Sequence, residues 1–284
     1  MLKQTILTVV GTDCSDSDLG PVLERARDIS AHLAFLVVGA SPYLPISTYG
    51  AMPYGPIVIP SDWQEDFAAG AAILKQKNEG IEALLEKHGV SGDISMIYNE
   101  PTSIDEAVGY RARVCDFACV SNDLRRDKNV FDHVLRGVLF ASPLGALING
   151  MTSTEPLNPR HVLIAWNTGL PSARAVHAAL PLLLNADQIT IASFDPIMTE
   201  SRDGGEPGSD LAKWLSHHGC TVTVQQYPRG GKEIGDCILE RAAELGADMA
   251  VMGAYGHARM RQAVFGGTTR TLTEQTSLPV FLAH

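Results

Sequence analysis

The feature that most constrains this 284-residue chain is an internal repeat. The run Thr5–Thr12 aligns with His161–Thr168 at an offset of 156 residues, and Arg113–Val120 aligns with Leu245–Met252 at an offset of 132. Each run is short and mostly apolar, which is typical of a buried strand. Self-similarity of this kind predicts two structural units built on the same plan.

Strand and helix patterns alternate in both copies of the repeat. Each first strand is followed by a polar turn and by helical periodicity, in Leu19–Leu33 and in Ser172–Leu184. A second apolar run then follows, at Ala34–Val38 and at Ile189–Phe194. Because parallel strands need a crossover connection, this alternation predicts a parallel sheet with helices on both faces.

The offset falls to 130 at His88–Gly89 and His218–Gly219, so the first copy carries 26 additional residues. We map them to Tyr43–Trp63, a stretch rich in Pro, Gly and Tyr, and predict a surface loop that acts as a flap or contacts a partner. The chain then divides into a first domain at 1–150, a linker at 151–160 and a second domain at 161–284.

Composition excludes several classes of protein. A net charge of −10 argues against general affinity for nucleic acid, and no apolar run approaches the ~20 residues of a membrane span. Thr5–Val10 is too short for the apolar region of a signal peptide, so we expect a cytoplasmic protein. The five cysteines are scattered without metal-ligand spacing, and no catalytic set of residues emerges.

A glycine-rich stretch at Met252–Thr269 follows a predicted strand and precedes a helix. Gly253 and Gly256 would let the backbone turn sharply and approach a ligand. Gly266 and Gly267 stand before the helix start, where free N–H groups attract an anion. Two glycine pairs could therefore hold a polyphosphate, although loop and cap conformations also account for each glycine without a ligand.

The spacing G-x2-G-x9-G formed by Gly253, Gly256 and Gly266 resembles the ATP-binding signature of the universal stress protein family. The resemblance extends over 161–284, and at pattern level over the first domain. Two-domain members share this tandem layout. It implies an α/β fold similar to the adenine nucleotide alpha hydrolases, with two tandem doubly wound domains. Each would have an open five-stranded parallel sheet with helices on both faces.

By this resemblance the ligand is ATP, with Mg²⁺ as a counter-ion, bound over the carboxyl ends of the first and fourth strands of the second domain. That position agrees with the general rule for open α/β sheets. Between the glycine pairs, His257, Arg259 and Arg261 could neutralise phosphate charge or lie on a solvated face. The other implied site residues are Ala165, Trp166 and Asn167 at the adenosine, Ser193 and Phe194 at the base, Met252 and Gly253 beside the ribose, and Gly256, Gly266, Gly267, Thr268 and Thr269 at the phosphates.

Two positions depart from the family pattern. Asn167 stands where the family usually has Asp, and Gly267 stands where Ser or Thr usually follows the third glycine. The first domain departs further, since Ser121–Leu124 replaces the first glycine pair and Asp123 and Asp127 would repel an anion. We therefore expect one nucleotide site per chain.

The leading hypothesis is an ATP-binding universal stress protein that senses or regulates the stress response, with at most slow ATP hydrolysis. The alternative is a stress-linked interaction protein that does not depend on nucleotide. An enzyme such as a pyrophosphate-forming ligase is a weaker third hypothesis, because the S-G-G-x-D type loop of that group is absent. The apolar run Leu278–Leu282 could pair through a sheet edge, giving a homodimer or an intramolecular pseudo-dimer.

Overall fold

The computed structural model describes residues 3–44, 59–151, 153, 155, 157–200, 202–254 and 266–284. The strands are β1 (Thr5–Val10), β2 (His32–Ala40), β3 (Gly92–Asn99), β4 (Phe117–Val120), β5 (Ala146–Ile148), β6 (His161–Ala165), β7 (Gln188–Phe194), β8 (Val222–Tyr227), β9 (Met249–Gly253) and β10 (Val280–Ala283). The helices are α1 (Asp16–Asp28), α2 (Ser61–His88), α3 (Ile104–Ala112), α4 (Lys128–Ala141), α5 (Leu170–Leu183), α6 (Ser209–His217), α7 (Ile234–Leu245) and α8 (Gly267–Glu274).

These strands form one ten-stranded sheet in the order β3-β2-β1-β4-β5-β10-β9-β6-β7-β8. Neighbours are parallel within β1–β5, the first half, and within β6–β10, the second half. The halves meet where β10 runs antiparallel to β5, with Phe281 opposite Leu147. The predicted α/β fold is confirmed. The last strand pairs with an edge of the same chain, as in the predicted pseudo-dimer.

One aspartate in each half explains the match between Arg113–Val120 and Leu245–Met252. Asp116 accepts a hydrogen bond from the Thr5 N–H at 2.7 Å, and its own N–H donates to the Thr5 carbonyl at 2.8 Å. Asp248 accepts from the His161 N–H at 3.1 Å and donates back to the His161 carbonyl at 3.0 Å. In both halves the aspartate joins the turn before the fourth strand to the start of the first strand.

Both faces of the sheet are buried, as the continuous apolar runs predict. One face packs against α1, α2, α5 and α6, and the other against α3, α4, α7 and α8. Since the two halves meet antiparallel, the carboxyl ends of their parallel strands point toward opposite ends of the sheet. Any site over those strand ends is therefore well separated from its counterpart in the other half.

The predicted loop at Tyr43–Trp63 is wrong at its end, because Ser61–Trp63 form the first turn of α2. Residues 45–58 of that loop lie outside the described ranges. Helix α2 has 28 residues and α6 has 9, so most of the additional length of the first half is helical. The sequence pattern missed this helix start because it follows directly on Pro60, which is the N-cap. Among the helices of the described ranges, α2 included, none has the length and apolarity that crossing a membrane requires.

The predicted helix at Leu19–Leu33 also ends too late. Ser30 has a φ of 55°, in the left-handed region, and the helix itself stops at Asp28. His32 and Leu33 belong to β2. The glycines predicted to end helices, Gly89 and Gly219, have φ values of 63° and 88°, which confirms their left-handed conformation.

Candidate functional site

A cleft of about 580 Å³ opens over the carboxyl ends of β6, β7 and β9. It lies where the strand order reverses, and its volume is in the range of small-molecule sites. Ten residues singled out in the sequence line it: Ala165, Trp166, Asn167, Phe194, Met252, Gly253, Gly266, Gly267, Thr268 and Thr269. The fold thus brings together segments that lie about 100 residues apart in the chain.

Ser193 is not among the lining residues of the cleft. It is only 2% exposed, and alternation along β7 turns its side chain to the opposite face of the sheet from Phe194. Its expected position beside a base is therefore wrong. Four other predicted residues lie outside the described ranges: Gly256, His257, Arg259 and Arg261.

The side chain of Asn167 supports the start of α5. Its Oδ1 accepts a hydrogen bond from the Gly169 N–H at 3.0 Å and another from the Ser172 hydroxyl at 2.8 Å. An Asn side chain that accepts from the backbone two residues ahead forms an Asx turn, which fixes the chain entering a helix. The carboxamide oxygen thus has a local structural role in addition to its place in the cleft wall.

Gly253 is required by packing. A Cβ on this residue would lie 2.4 Å from the Ser172 backbone nitrogen and 2.5 Å from the Pro171 carbonyl carbon. Both contacts are backbone atoms at the start of α5, so they cannot move aside as a flexible side chain would. Close packing of β9 against α5 therefore accounts for Gly253 without a ligand.

The N-terminus of α8 has the opposite character. Among the described residues, a Cβ on Gly266, its N-cap, would meet nothing within 4 Å, and a Cβ on Gly267 would meet only the Glu233 carboxylate, at 3.8 Å. No side chain of the described residues caps this helix, and its first turn has no acidic residue. Uncapped N–H groups at a helix start attract anions, and the described residues leave room for one here.

One wall of the cleft was missed by sequence analysis. The chain leaving β7 turns back between 197 and 204, where hydrogen bonds join Arg202–Gly204 to Ile197–Thr199, such as Asp203 N–H to Ile197 carbonyl, at 3.1 Å. The Thr168 hydroxyl donates to the Arg202 carbonyl at 3.1 Å. Because this stretch has no recognisable motif, only tertiary contacts place it beside the end of β6. The lining residues missed are Thr168, Gly169, Pro171, Ser172, Asp195, Ile197, Arg202, Asp203, Ile234 and Ile238.

An ion pair anchors the base of that turn. Asp195 Oδ2 lies 2.9 Å from Arg229 Nε, and its Oδ1 accepts from the Arg229 N–H at 3.1 Å. The side-chain hydrogen bond from Arg229 lowers the pKa of Asp195. Arg229 follows β8, so the pair joins the ends of two neighbouring strands at the mouth of the cleft.

The equivalent place in the first half is filled by the chain itself. Asp123 accepts a hydrogen bond from the Gly11 N–H at 3.3 Å, and a Cβ on Gly11 would lie 2.5 Å from the carboxylate. Asp123 belongs to a 3₁₀ turn at Asn122–Arg126, and Asp127 caps α4 through the amides of its first turn. Seven residues join β4 to α4, whereas thirteen join β9 to α8. The shorter connection lies directly on the strand end.

Comparison with solved structures shows the fold. A proposed universal stress protein of Pseudomonas aeruginosa UCBPP-PA14 superposes with a TM-score of 0.59 at 16% identity, covering 99% of this chain and 93% of that one. A functionally unknown protein of Pseudomonas aeruginosa PAO1 gives a TM-score of 0.57 at 16% identity, covering 99% and 92%. Both cover the tandem arrangement from end to end, which confirms the implied resemblance at the level of fold.

Sequence comparison adds nothing to this result. The chain matches no family model, and no curated protein matches it. At 16% identity the structural relatives share an architecture with this chain, and the function has to be argued from the cleft.

Proposed function

We propose that this protein binds ATP in the cleft of its second half and regulates a stress response through the occupancy of that cleft. The observation that carries the proposal is the N-terminus of α8, which faces a cleft of about 580 Å³ and which no side chain of the described residues caps or covers at Gly266. In the first half the Asp123 carboxylate lies against Gly11 just beyond the end of β1, so the proposal is for one nucleotide per chain.

The two ends of the cleft suit different parts of a nucleotide. Trp166, Phe194, Ile234 and Ile238 contribute apolar surface, which suits a planar base. The first turn of α8 contributes N–H groups and the hydroxyls of Thr268 and Thr269, which suit phosphate oxygens. Since the chain as a whole is acidic, attraction of a polyphosphate has to come from such a local arrangement.

Mg²⁺ enters the proposal only as a partner of the triphosphate. Among the described residues no group of three His, Cys, Asp or Glu side chains could hold a metal ion. We therefore assign the protein no metal ligand and propose no chemical step on the nucleotide. Regulation would follow from binding, because a ligand shifts a conformational equilibrium by its difference in affinity for the two states.

Equilibrium binding of ATP to the purified protein and to Gly266→Val tests the proposal. The valine fits the extended backbone of Gly266 (φ −57°, ψ 154°) and fills the space in front of α8, so we expect affinity to fall at least tenfold. Gly205→Val is the matched control, because a Cβ there also meets none of the described residues within 4 Å. Absence of binding to the native protein, or equal binding by both variants, would contradict the proposal.

Gly253→Val is unsuitable for this purpose, since its side chain would collide with the backbone of α5. The same experiment examines the alternative of a nucleotide-independent interaction protein. Two motif positions favour that alternative: Asn167 is engaged in supporting α5, and Gly253 is accounted for by packing. A native protein that binds no ATP while keeping its fold would support it.

A further inference from the structure

Asp203 lies on the wall of the cleft in a fixed orientation. Its Oδ2 accepts the Ile197 N–H at 2.8 Å, which closes the turn at 197–204. Its Oδ1 faces Thr168, the third residue after β6: it accepts the Thr168 N–H at 3.4 Å and lies 3.3 Å from the Thr168 hydroxyl, which it shares with the Arg202 carbonyl. The carboxylate is therefore held beside the carboxyl end of β6 by the segment that follows β7.

The carboxylate retains acceptor capacity toward the cleft. A carboxylate has about four lone-pair sites, and three donors of the protein reach Asp203. The two bonds at Oδ1 are long for hydrogen bonds of a charged group, which average about 2.7–2.9 Å, so this oxygen is weakly engaged. Asp203 is half-buried and lines the cleft, which leaves this oxygen accessible to a ligand.

Charge decides which part of a nucleotide can meet this oxygen. A phosphate would be repelled by the carboxylate and attracted by the N-terminus of α8. A ribose hydroxyl is neutral and donates a hydrogen bond, and acidic side chains bind ribose hydroxyls in this way in dinucleotide sites. The group that fits against Asp203 is thus the sugar of a ribonucleotide.

We propose that Asp203 is a specificity-determining residue, which accepts a hydrogen bond from the ribose 2′-hydroxyl and makes the cleft selective for ribonucleotides over 2′-deoxyribonucleotides. The inference rests on the proposed function, because it names the part of the bound nucleotide that the 197–204 turn recognises. It also gives that turn a role in sensing occupancy, since the ligand and Thr168 share one carboxylate.

The test measures dissociation constants for ATP, 2′-deoxy-ATP and inosine triphosphate with the native protein and with Asp203→Asn. A hydrogen bond to a charged acceptor is worth roughly 10- to 100-fold in affinity, so the native protein should prefer ATP to 2′-deoxy-ATP by about that factor. In Asp203→Asn the preference should fall to within about threefold. Comparing two ligands on one variant cancels general effects of the substitution on the cleft.

Asp210→Asn is the matched control, because it removes the same charge from a fully exposed side chain in the first turn of α6. It should keep the native preference. Hydrogen exchange of the Ile197, Asp203 and Gly204 amides reports whether the turn of Asp203→Asn is still closed. Asparagine can still accept the Ile197 N–H through its Oδ1, so we expect protection of that amide to be retained.

Three outcomes would overturn the inference while leaving the proposed function in place. Equal affinity of the native protein for ATP and 2′-deoxy-ATP would exclude recognition of the 2′-hydroxyl. An unchanged preference in Asp203→Asn would assign that recognition to another group. If Asp203→Asn lost only the preference for ATP over inosine triphosphate, Asp203 would contact the adenine amino group instead of the ribose. A native protein that binds none of the three nucleotides would overturn the proposed function as well, and so is distinguishable from the first three.

Discussion

The two halves of this protein share a framework and differ at the strand ends. In both, an aspartate joins the start of the first strand to the turn before the fourth, through Asp116 and Asp248. Beyond the fourth strand the first half continues at once into a 3₁₀ turn that places Asp123 against Gly11, whereas the second half keeps a cleft. A repeated fold can thus retain its scaffold while one copy closes the site.

In the closed half, the segment that fills the site also contacts the open half. Arg125 of the 3₁₀ turn donates to the Thr273 carbonyl in α8 and, at 2.8 Å, to Asn149 Oδ1. Asn149 in turn donates to the Gln275 carbonyl at 3.1 Å and the Leu278 carbonyl at 2.9 Å. The first half therefore supports the helix whose N-terminus faces the cleft of the second.

The halves should differ most in how much stability is lost by substitution at the end of the fourth strand. The residue there is Gly253, the last of β9, in the second half and Ser121, the first after β4, in the first half. We expect Gly253→Ala to lower the free energy of unfolding by about 3 kcal/mol, because its Cβ meets backbone atoms of α5. The aligned residue of the first half, Ser121, already carries a side chain, and Ser121→Ala should cost about 1 kcal/mol or less. Urea denaturation of both variants measures the two values. Equal losses would mean that the strand ends are packed alike.

Substitution of Arg125, which joins the two halves, should have the next largest effect on stability. We expect Arg125→Met to destabilise the protein by about 2 kcal/mol, because it removes two hydrogen bonds, one of them to the buried Asn149. Methionine retains apolar contact with Phe131, over which the guanidinium lies at 4.3 Å.

Arg126→Met is the control for this change. Arg126 forms an exposed ion pair with Asp13, and such pairs contribute little to stability. Thermal unfolding of the two variants measures the difference, and ATP titration tests whether the proposed nucleotide binding depends on this contact. Equal midpoints for the two variants would mean that Arg125 does not brace the second half.

The smallest effect concerns pH and Cys119, a buried thiol of the first half that aligns with no cysteine in the second. Burial raises the pKa of Cys119 from 9.0 to about 12, and the aligned residue of the second half is Val251. The unfolded thiol loses its proton above about pH 9 while the folded one keeps it, so its contribution to stability is complete below pH 9. That contribution falls as pH rises toward 12.

Cys119→Val should remove this part of the alkaline destabilisation. Relative to the variant, the native protein should lose about 1 kcal/mol of stability between pH 8 and pH 10. Chemical denaturation of both proteins across that range measures the difference, in which the tyrosines and lysines common to both cancel. Parallel curves would show that this thiol titrates alike in the folded and unfolded chains.

Much of the architecture followed from local patterns. The apolar runs at Thr5–Val10 and His161–Ala165 are β1 and β6, and the glycines at 89 and 219 end their helices as expected. Element bounds were less accurate, because the turn at Ser30 and the helix start after Pro60 depend on packing. The alternation of strand and helix was enough to predict which strand ends would meet.

The site was predicted in part for the same reason. Residues at the ends of parallel strands must share one edge of a sheet, so the patterns at Asn167 and Gly253 could be placed together in advance. Ser193 was misplaced because the strand pattern gave its distance along β7 without its face. Binding of ATP, pairing of chains into a homodimer and a cytoplasmic location stay predictions.

By itself, the sequence determined the repeat, the parallel α/β framework and the glycines before α8, because periodicity and backbone freedom are properties of short segments. Only the tertiary structure decided that β5 and β10 join the halves, that Asp123 closes one strand end and that Asp203 reaches the other. Asp123 and Gly11 are 112 residues apart, and Asp203 and Thr168 are 35 apart. Such contacts depend on how the packed elements bring distant segments together, which no local pattern encodes.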